Sequence, residues 1–400
     1  MVGGGIVGLS VARELLRRTG SATVTVFEKE TAVGLHQTGR NSGVVHSGLY
    51  YAPHSLKARL CVRGRALLEA FCADNHLPHE RCGKLVVAAA EHERPRLRSL
   101  QARAASNGVD CTLLDSGELR SIEPHVTGIE ALHVPSSGIV DYRAVAERLA
   151  GWLAAHERCA VHLAAPVRQL RSVNGAVQLI AAGRSPRTFD LVVNCAGLQS
   201  DRIARLANTP TRARIVPFRG EYYELTPDAQ HLVRALVYPV PDPRFPFLGV
   251  HFTRMVGGGV ECGPNAVFAL SREGYRWRDV SPRDLAGALS YPGTLRLFAK
   301  HWRTGAGEAW RSISKRAFVR ALQRLVPAIR AEHLVRVPAG VRAQALARDG
   351  ALVDDFVVER DGPMIHVLNA PSPAATAAFA IAEEIVGKHV LPGQASPAPI

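Results

Sequence analysis

Apolar and polar positions follow two rhythms along this chain, and the changes of rhythm mark its organisation. Over 7–18 apolar residues recur at helical spacing, whereas Thr23-Val-Thr-Val-Phe27 alternates with period two and reads as a strand. Helical spacing returns over 55–72, with Leu60, Leu67, Leu68 and Phe71, then over 91–107 and 142–155. Strand runs are predicted at 82–88, 158–164, 167–170 and 191–193, with a hairpin turn at Asn174-Gly175. From 214 to about 267 helix signals fade. Strands at 215–225 and 235–238, turns over 239–246 and a glycine turn at 257–259 predict antiparallel β structure. Helices return from Pro282. Trp310, Ile313, Ala317, Ala321 and Leu325 share one face of a basic amphipathic helix over 309–326. Strands at 340–344, 356–359 and 364–368 follow, and a helix runs from about Pro373 to Gly387. Pro/Ala-rich composition predicts a disordered tail over 392–400.

The order of these elements puts α/β character at both ends of the chain and antiparallel β in the middle, so one doubly wound domain is interrupted by another. Its opening residues carry Gly3-x-Gly5-x-x-Gly8, a helix, a second strand, and Glu28 twenty residues after Gly8. That is the dinucleotide-binding fingerprint. Gly3 permits the turn, Gly5 the approach of a pyrophosphate and Gly8 close helix–strand packing, while Glu28 accepts hydrogen bonds from a ribose. The fingerprint normally follows a complete strand, and here Met1 and Val2 alone precede it. The first strand is therefore expected to be largely missing, either because the true start lies upstream, the favoured reading, or because the chain is truncated, and the affinity for a dinucleotide is placed in doubt. The polar stretch His36-Gln-Thr-Gly-Arg-Asn-Ser-Gly-Val-Val-His46 follows. Thr38, Asn41 and Ser42 are expected to bond phosphate and ribityl oxygens, and Arg40 to neutralise pyrophosphate charge. The buried strand at 191–193 ends in small residues, Ala196-Gly197, suited to close backbone approach. Pro373, with Ala374 and Ala375, opens a helix whose N-terminus favours negative charge.

Composition narrows the class. The 400 residues are 47% hydrophobic, enough for about two domains, and the lack of a long apolar run predicts no membrane-spanning helix. No secretory leader is evident. Seven scattered cysteines without a CxxC pair fit a reducing compartment and no disulfide framework. His76-x-x-His79 lies in a polar loop, so no metal site is expected. The formal net charge of +14 is mostly arginine without a nucleic-acid module, so nucleic acid is not expected as a partner.

The long polar stretch 36–51, with Cys82-Gly-Lys-Leu, Pro217-Phe-Arg-Gly-Glu-Tyr-Tyr, Tyr238-Pro-Val-Pro-Asp-Pro, Phe245-Pro-Phe-Leu-Gly-Val-His-Phe-Thr-Arg254, Gly263-Pro-Asn-Ala-Val, Gly340-Val-Arg-Ala-Gln and His366-Val-Leu-Asn-Ala-Pro-Ser-Pro-Ala-Ala-Thr, resembles the FAD-dependent amine and hydroxy-acid oxidoreductases of the D-amino-acid oxidase and glycerol-3-phosphate dehydrogenase superfamily. Within these it is similar to the L-2-hydroxyglutarate dehydrogenase/oxidase family. The resemblance implies a discontinuous Rossmann-like FAD-binding domain (1–81, 139–213 and 335–391) with an inserted, mainly antiparallel substrate domain (82–138 and 214–334). Val167 and Gly340 join the expected cofactor contacts. The implied reaction oxidises L-2-hydroxyglutarate to 2-oxoglutarate by hydride transfer to flavin N5, with a quinone, oxygen or another flavoprotein as electron acceptor. A dicarboxylate needs cations, for which Arg219, Arg254 and Lys84 are candidates, with Tyr238 as a hydroxyl donor. A base titrating near neutrality must take the alcohol proton; His251 is the first candidate and His46 the second. Another hydroxy acid, an amino acid or glycerol 3-phosphate remains an alternative substrate, and a flavin-free binding protein a third reading. The expected location is cytoplasmic, with peripheral contact to the inner membrane through the basic helix as the variant.

Overall fold

The computed structural model describes residues 1–242 and 249–392. The Phe245-Pro-Phe-Leu part of one motif and the tail beyond 392 lie outside the described residues. Among the sheets of the described residues, smaller ones are formed by Val167–Val173, Ala176–Ala181 and Arg187–Phe189 and by Val44–Val45, Gly138–Val140 and His79–Glu80, and two position the site. In the first, Val24–Phe27 pairs in parallel with Cys159–His162, and Val192–Asn194 pairs in parallel with Met364–Asn369, which has Val357–Asp361 antiparallel on its far edge. Val2 joins the two halves, bridging in parallel to both Phe27 and Asn194. Its amide donates to Val193 O at 2.9 Å and that of Gly3 to Phe27 O at 2.9 Å. The first strand, expected to be largely missing, is reduced to this one bridging residue, which lies between the two halves of the sheet.

Helices Ile6–Arg18, Leu56–Asp74, Tyr142–Ala155 and Ala378–Ile385 cover this sheet. Leu9, Val11, Ala12, Val26, Leu149, Leu153 and Ile381 form its dry core, where the apolar stripe of each helix is removed from water. Asp141 caps its helix by accepting from the amides of Arg143 and Ala144, and Ser55 does so from Ala58.

The second sheet has nine strands. Its spine is Ala213–Leu225, paired antiparallel along its length with Leu334–Ala347. The 334–347 segment, expected with the cofactor domain from residue 335 onward, therefore belongs to the antiparallel sheet until Ala347. Period-two alternation gives this sheet two faces. Leu85, Val87, Val237, Phe252, Cys262 and Tyr223 pack with Phe318 and Leu322 into a second core, while Tyr222, Tyr238 and His251 face the first sheet.

Two helical expectations need correction. The helix drawn over 309–326 is broken: Pro292–Ile313 ends at Ser314, whose hydroxyl accepts from the Ala317 amide and starts Lys315–Gln323. Its apolar stripe is Phe318, Val319 and Leu322, with Leu325 and Val326 buried just past its end, and Trp310 is 63% exposed. The side chains of Arg311 and Ile313 lie outside the described ones. The last helix begins at Ala378. Pro371 and Pro373 lack N–H donors, and residues 371–377 form successive turns, with Ala374 N bonded to Pro371 O and Ala377 N to Pro373 O. Among the described residues no helix is long and apolar enough to cross a membrane.

Candidate active site

Between the two sheets lies one elongated cavity of about 1030 Å³. Its first end is built from backbone. Gly3 sits at φ +107, and a Cβ there would lie 2.5 Å from Cys195 O. A Cβ on Gly8 would meet Gly3 O at 2.2 Å, and one on Gly340 would meet Arg40 O at 2.5 Å. These positions admit no side chain, so main chain itself forms the wall. Gly8 shapes this wall from behind, whereas Gly3, Gly5 and Gly340 line it. The Ile6 amide is capped by Thr38 Oγ1 at 3.1 Å. The Gly5 and Val7 amides, which line the cavity, have no acceptor among the described residues, leaving a helix N-terminus ready for phosphate.

Glu28 is buried and lines the same end. It accepts from the amides of Gly4 at 2.6 Å and Glu30 at 2.9 Å, and a carboxylate so held keeps lone pairs for a ribose. Asn41 gives its side chain to its own loop, donating to Gln37 O and Thr38 O and accepting from Gly43 N. These bonds shape the loop, and Asn41 also lines the cavity. Arg40 donates to Leu35 O at 3.1 Å and stacks 3.9 Å over Tyr275. Ser42, Val167, Ala196, Gly197, Pro373, Ala374 and Ala375 all line the cavity. Where the last turns begin, the amides of Ala375 and Thr376 have no acceptor among the described residues. Nearby, Glu30, His36 and Glu273 converge as metal ligands do, but the Lys29 ammonium lies among them. It is bonded to Glu30, 3.1 Å from Glu273 and 2.8 Å from His36.

The other end of the cavity is a chamber of imidazoles, phenols and cations. His251 is buried, and its Nδ1 donates to Gly249 O at 2.8 Å. A carbonyl can only accept, so Nδ1 holds the proton and Nε2 is left as the basic nitrogen. Its ring stacks on Tyr238 at 3.8 Å, and burial drives its pKa down to about 3, with Lys84 and Arg342 adding to the effect. His46 bonds Ser372 Oγ through Nε2 at 3.1 Å, and its pKa is pushed well below 6.5 by burial, then by Lys84, His251 and Lys57.

Lys84 lies behind this wall, its ammonium 4.1 Å over the Tyr238 ring and 5.3 Å over that of Tyr50. Burial lowers its pKa to about 8. Tyr238 hydrogen-bonds Thr253. The Tyr50 hydroxyl is buried without a partner beside the cavity.

The remaining predicted cations are not brought here. Arg219 is buried 2.9 Å from Glu221, with its guanidinium over Trp277. Its cross-strand partner is Val341, and Arg219 itself does not line the cavity. Arg254 is half-buried and pairs with Glu80 at 2.7 Å. In their stead stand Arg342, which bonds Tyr222, and Lys57. Sequence reasoning passed over both; a lone arginine within Gly340-Val-Arg-Ala-Gln and a lysine that becomes buried were the available signals. The acidic residues lining the described cavity are Glu28 and Glu273 at the dinucleotide end and Asp354 at the other.

Cradle and chamber share one cavity, so a dinucleotide held at one end serves chemistry at the other. The chain belongs to the FAD dependent oxidoreductase (DAO) family, which matches residues 1–387, and its cofactor is FAD. The similarity extends to particular enzymes. The chain is 47% identical to the L-2-hydroxyglutarate dehydrogenase of Indibacter alkaliphilus, covering 95% of this chain and 96% of that one. It is 43% identical to the mitochondrial L-2-hydroxyglutarate dehydrogenase of Homo sapiens over 95% of this chain and 86% of the relative. Among solved structures, the FAD-bound L-alpha-glycerophosphate oxidase of Mycoplasma pneumoniae shares the fold, with TM-score 0.77 and 22% identity over 96% of this chain and 92% of its own.

Proposed function

We propose that this chain oxidises L-2-hydroxyglutarate to 2-oxoglutarate. The observation that carries the reading is the charge of the chamber. Lys57, Lys84 and Arg342 surround histidines kept neutral by burial, and Asp354 is the acidic lining residue on that side. An alcohol carrying two carboxylates matches such surroundings, and identities of 42–47% to L-2-hydroxyglutarate dehydrogenases support the same substrate.

In this reading the fingerprint glycines, Glu28, Thr38, Arg40, Ser42, Val167, Ala196, Gly197 and Gly340 hold FAD. The turn at Pro373, Ala374 and Ala375 offers it amides. Bound FAD supplies the acceptor for the hydride leaving C2. Arg342, steadied by Tyr222, takes the carboxylate next to that carbon. The Tyr50 hydroxyl finds its partner on the substrate. His251 Nε2 receives the alcohol proton, its Nδ1–H bond to Gly249 O fixing the ring for that task. A dianion beside the imidazole raises its pKa, so the base strengthens once substrate is bound. His46, held by Ser372, is the alternative proton acceptor. The test is the visible spectrum of the purified protein under anaerobic conditions. Addition of L-2-hydroxyglutarate bleaches the flavin band; a band that ignores this substrate and responds to another hydroxy acid or an amino acid overturns the reading.

The electrons then leave to a quinone in an anionic bilayer. Leu295, Trp302 and Trp310 on the Pro292–Ile313 segment, which is kinked at His301, are 54%, 62% and 63% exposed, Arg296 and Lys300 precede the kink, and the chain carries +14. Exposed tryptophan among basic residues suits the bilayer interface. Co-flotation with anionic vesicles, lost on W302A/W310A, checks this.

A further inference from the structure

The chamber contains a cation whose present partner is a poor match for its surroundings. Lys57 is a buried residue, 6% exposed, and it lines the cavity. Its ammonium has three protons to donate, and the hydrogen bond it makes is to Asp354 Oδ1 at 3.0 Å. The side chain of Asp354 is 87% exposed, against 8% for that of Lys57. An ion pair with one member in open water is heavily screened and holds weakly. The lysine backbone, by contrast, is fixed. The neighbouring Asp355 accepts from the amides of Leu56 and Lys57, both at 2.9 Å, and so pins the first turn of the Leu56–Asp74 helix to the 350s segment. The Tyr51 ring lies 5.1 Å below the ammonium. The side chain is thus aimed into the chamber from a rigid base, with donors to spare and a partner easily exchanged.

Its place relative to the chemistry follows from its neighbours. The Tyr51 hydroxyl, on the ring beneath the ammonium, bonds Ser372, the residue that holds His46, whereas Arg342 bonds Tyr222 on the antiparallel sheet. Lys57 and Arg342 therefore reach the chamber from different walls. A substrate whose first carboxylate meets Arg342 and whose alcohol meets His251 extends its remaining carbons toward His46 and Lys57.

Resting on the proposed reaction, we propose that Lys57 is the residue that selects a dicarboxylate: the distal carboxylate of the substrate displaces Asp354 from its ammonium. A 2-hydroxy acid with an uncharged tail leaves the Lys57–Asp354 pair in place and gains nothing from it. Asp354 acts as a placeholder that neutralises the buried lysine until the diacid arrives.

This makes the two members of one ion pair respond oppositely to mutation, which a merely structural pair does not do. In Lys57→Met, kcat/KM for L-2-hydroxyglutarate falls about 100-fold or more, as expected when a buried charged partner is lost, while that for L-2-hydroxybutyrate changes by less than about threefold; Lys57→Arg recovers part of the loss. In Asp354→Asn, KM for L-2-hydroxyglutarate falls several-fold. Binding is read separately from turnover, through the perturbation of the visible flavin spectrum by glutarate and by butyrate. Wild type prefers glutarate, Lys57→Met binds the two alike, and the same spectrum reports that each variant is folded and loaded. Equal losses on both substrates, or the same sign of effect from Lys57→Met and Asp354→Asn, overturn the proposal. A wild type that prefers glutarate but leaves L-2-hydroxyglutarate unoxidised overturns the proposed reaction and leaves the diacid clamp standing.

Discussion

His251 combines a fixed tautomer, a stacked ring and a buried position. Replacing it with Gln keeps most of the volume and removes the base, so kcat is expected to fall about 10²–10⁴-fold, with the flavin band retained. Stopped-flow reduction measures this. Burial of a neutral imidazole also couples to stability. An unfolded histidine takes its proton near 6.5, and His251 in the fold resists it down to about 3. Between those values the unfolded chain binds the extra proton, so stability falls as pH falls, by about 1.4 kcal/mol per unit for one such group. Thermal melts from pH 7 to 4 should steepen accordingly, and the Gln variant should flatten them. Lys84 gives an effect at the other end of the scale. Its ammonium is lost as pH rises through about 8, so KM for the dianion rises above pH 8 while kcat holds, and Lys84→Met removes that limb.

At the scale of elements, what was legible in the sequence was what is local. The fingerprint packs three glycines, a helix and a strand into the opening residues, and the structure folds them as the spacing implies. Arg219 and Arg254 misled because their partners decide their fate. Glu221 is two residues away on the same strand and Glu80 lies 174 residues distant, and neither pairing has a periodic signature. Arg342 became visible once Leu334–Ala347 was seen to pair with Ala213–Leu225, a contact between segments more than 100 residues apart. The Trp310 helix failed for a related reason, since periodicity cannot show that Ser314 caps a new helix. Two element-scale predictions follow from close packing and buried charge. Gly8→Ala sets a Cβ 2.2 Å from Gly3 O, so the purified protein should lose its flavin absorbance. Asp201→Asn leaves Arg272, which is 4% exposed, with a weakened partner for the guanidinium that Asp201 now grips in two bonds. Losing a buried ionic partner costs about 3–5 kcal/mol, readable as a lowered melting temperature.

For the whole molecule, the cavity walls come from segments spread between Val2 and Thr376. Segments near 3–8, 28–46, 165–168, 195–202, 340–344 and 371–376 meet there, tied by bonds such as Gly4 N to Glu28 at 2.6 Å, Ile6 N to Thr38 Oγ1 at 3.1 Å and His46 N to Thr376 Oγ1 at 3.1 Å. A ligand that touches all of them adds stability by mass action, about 2.7 kcal/mol at a hundredfold excess over its Kd. Limited proteolysis with and without added FAD should cut the stripped protein faster, first near the 371–377 turns. The same architecture carries a nutritional consequence. FAD is made from riboflavin, so scarcity of that vitamin leaves more chains unloaded and less stable, and such chains are triaged by proteases. Scarcity would show first as fewer enzyme molecules, and the decline in turnover would follow the decline in number.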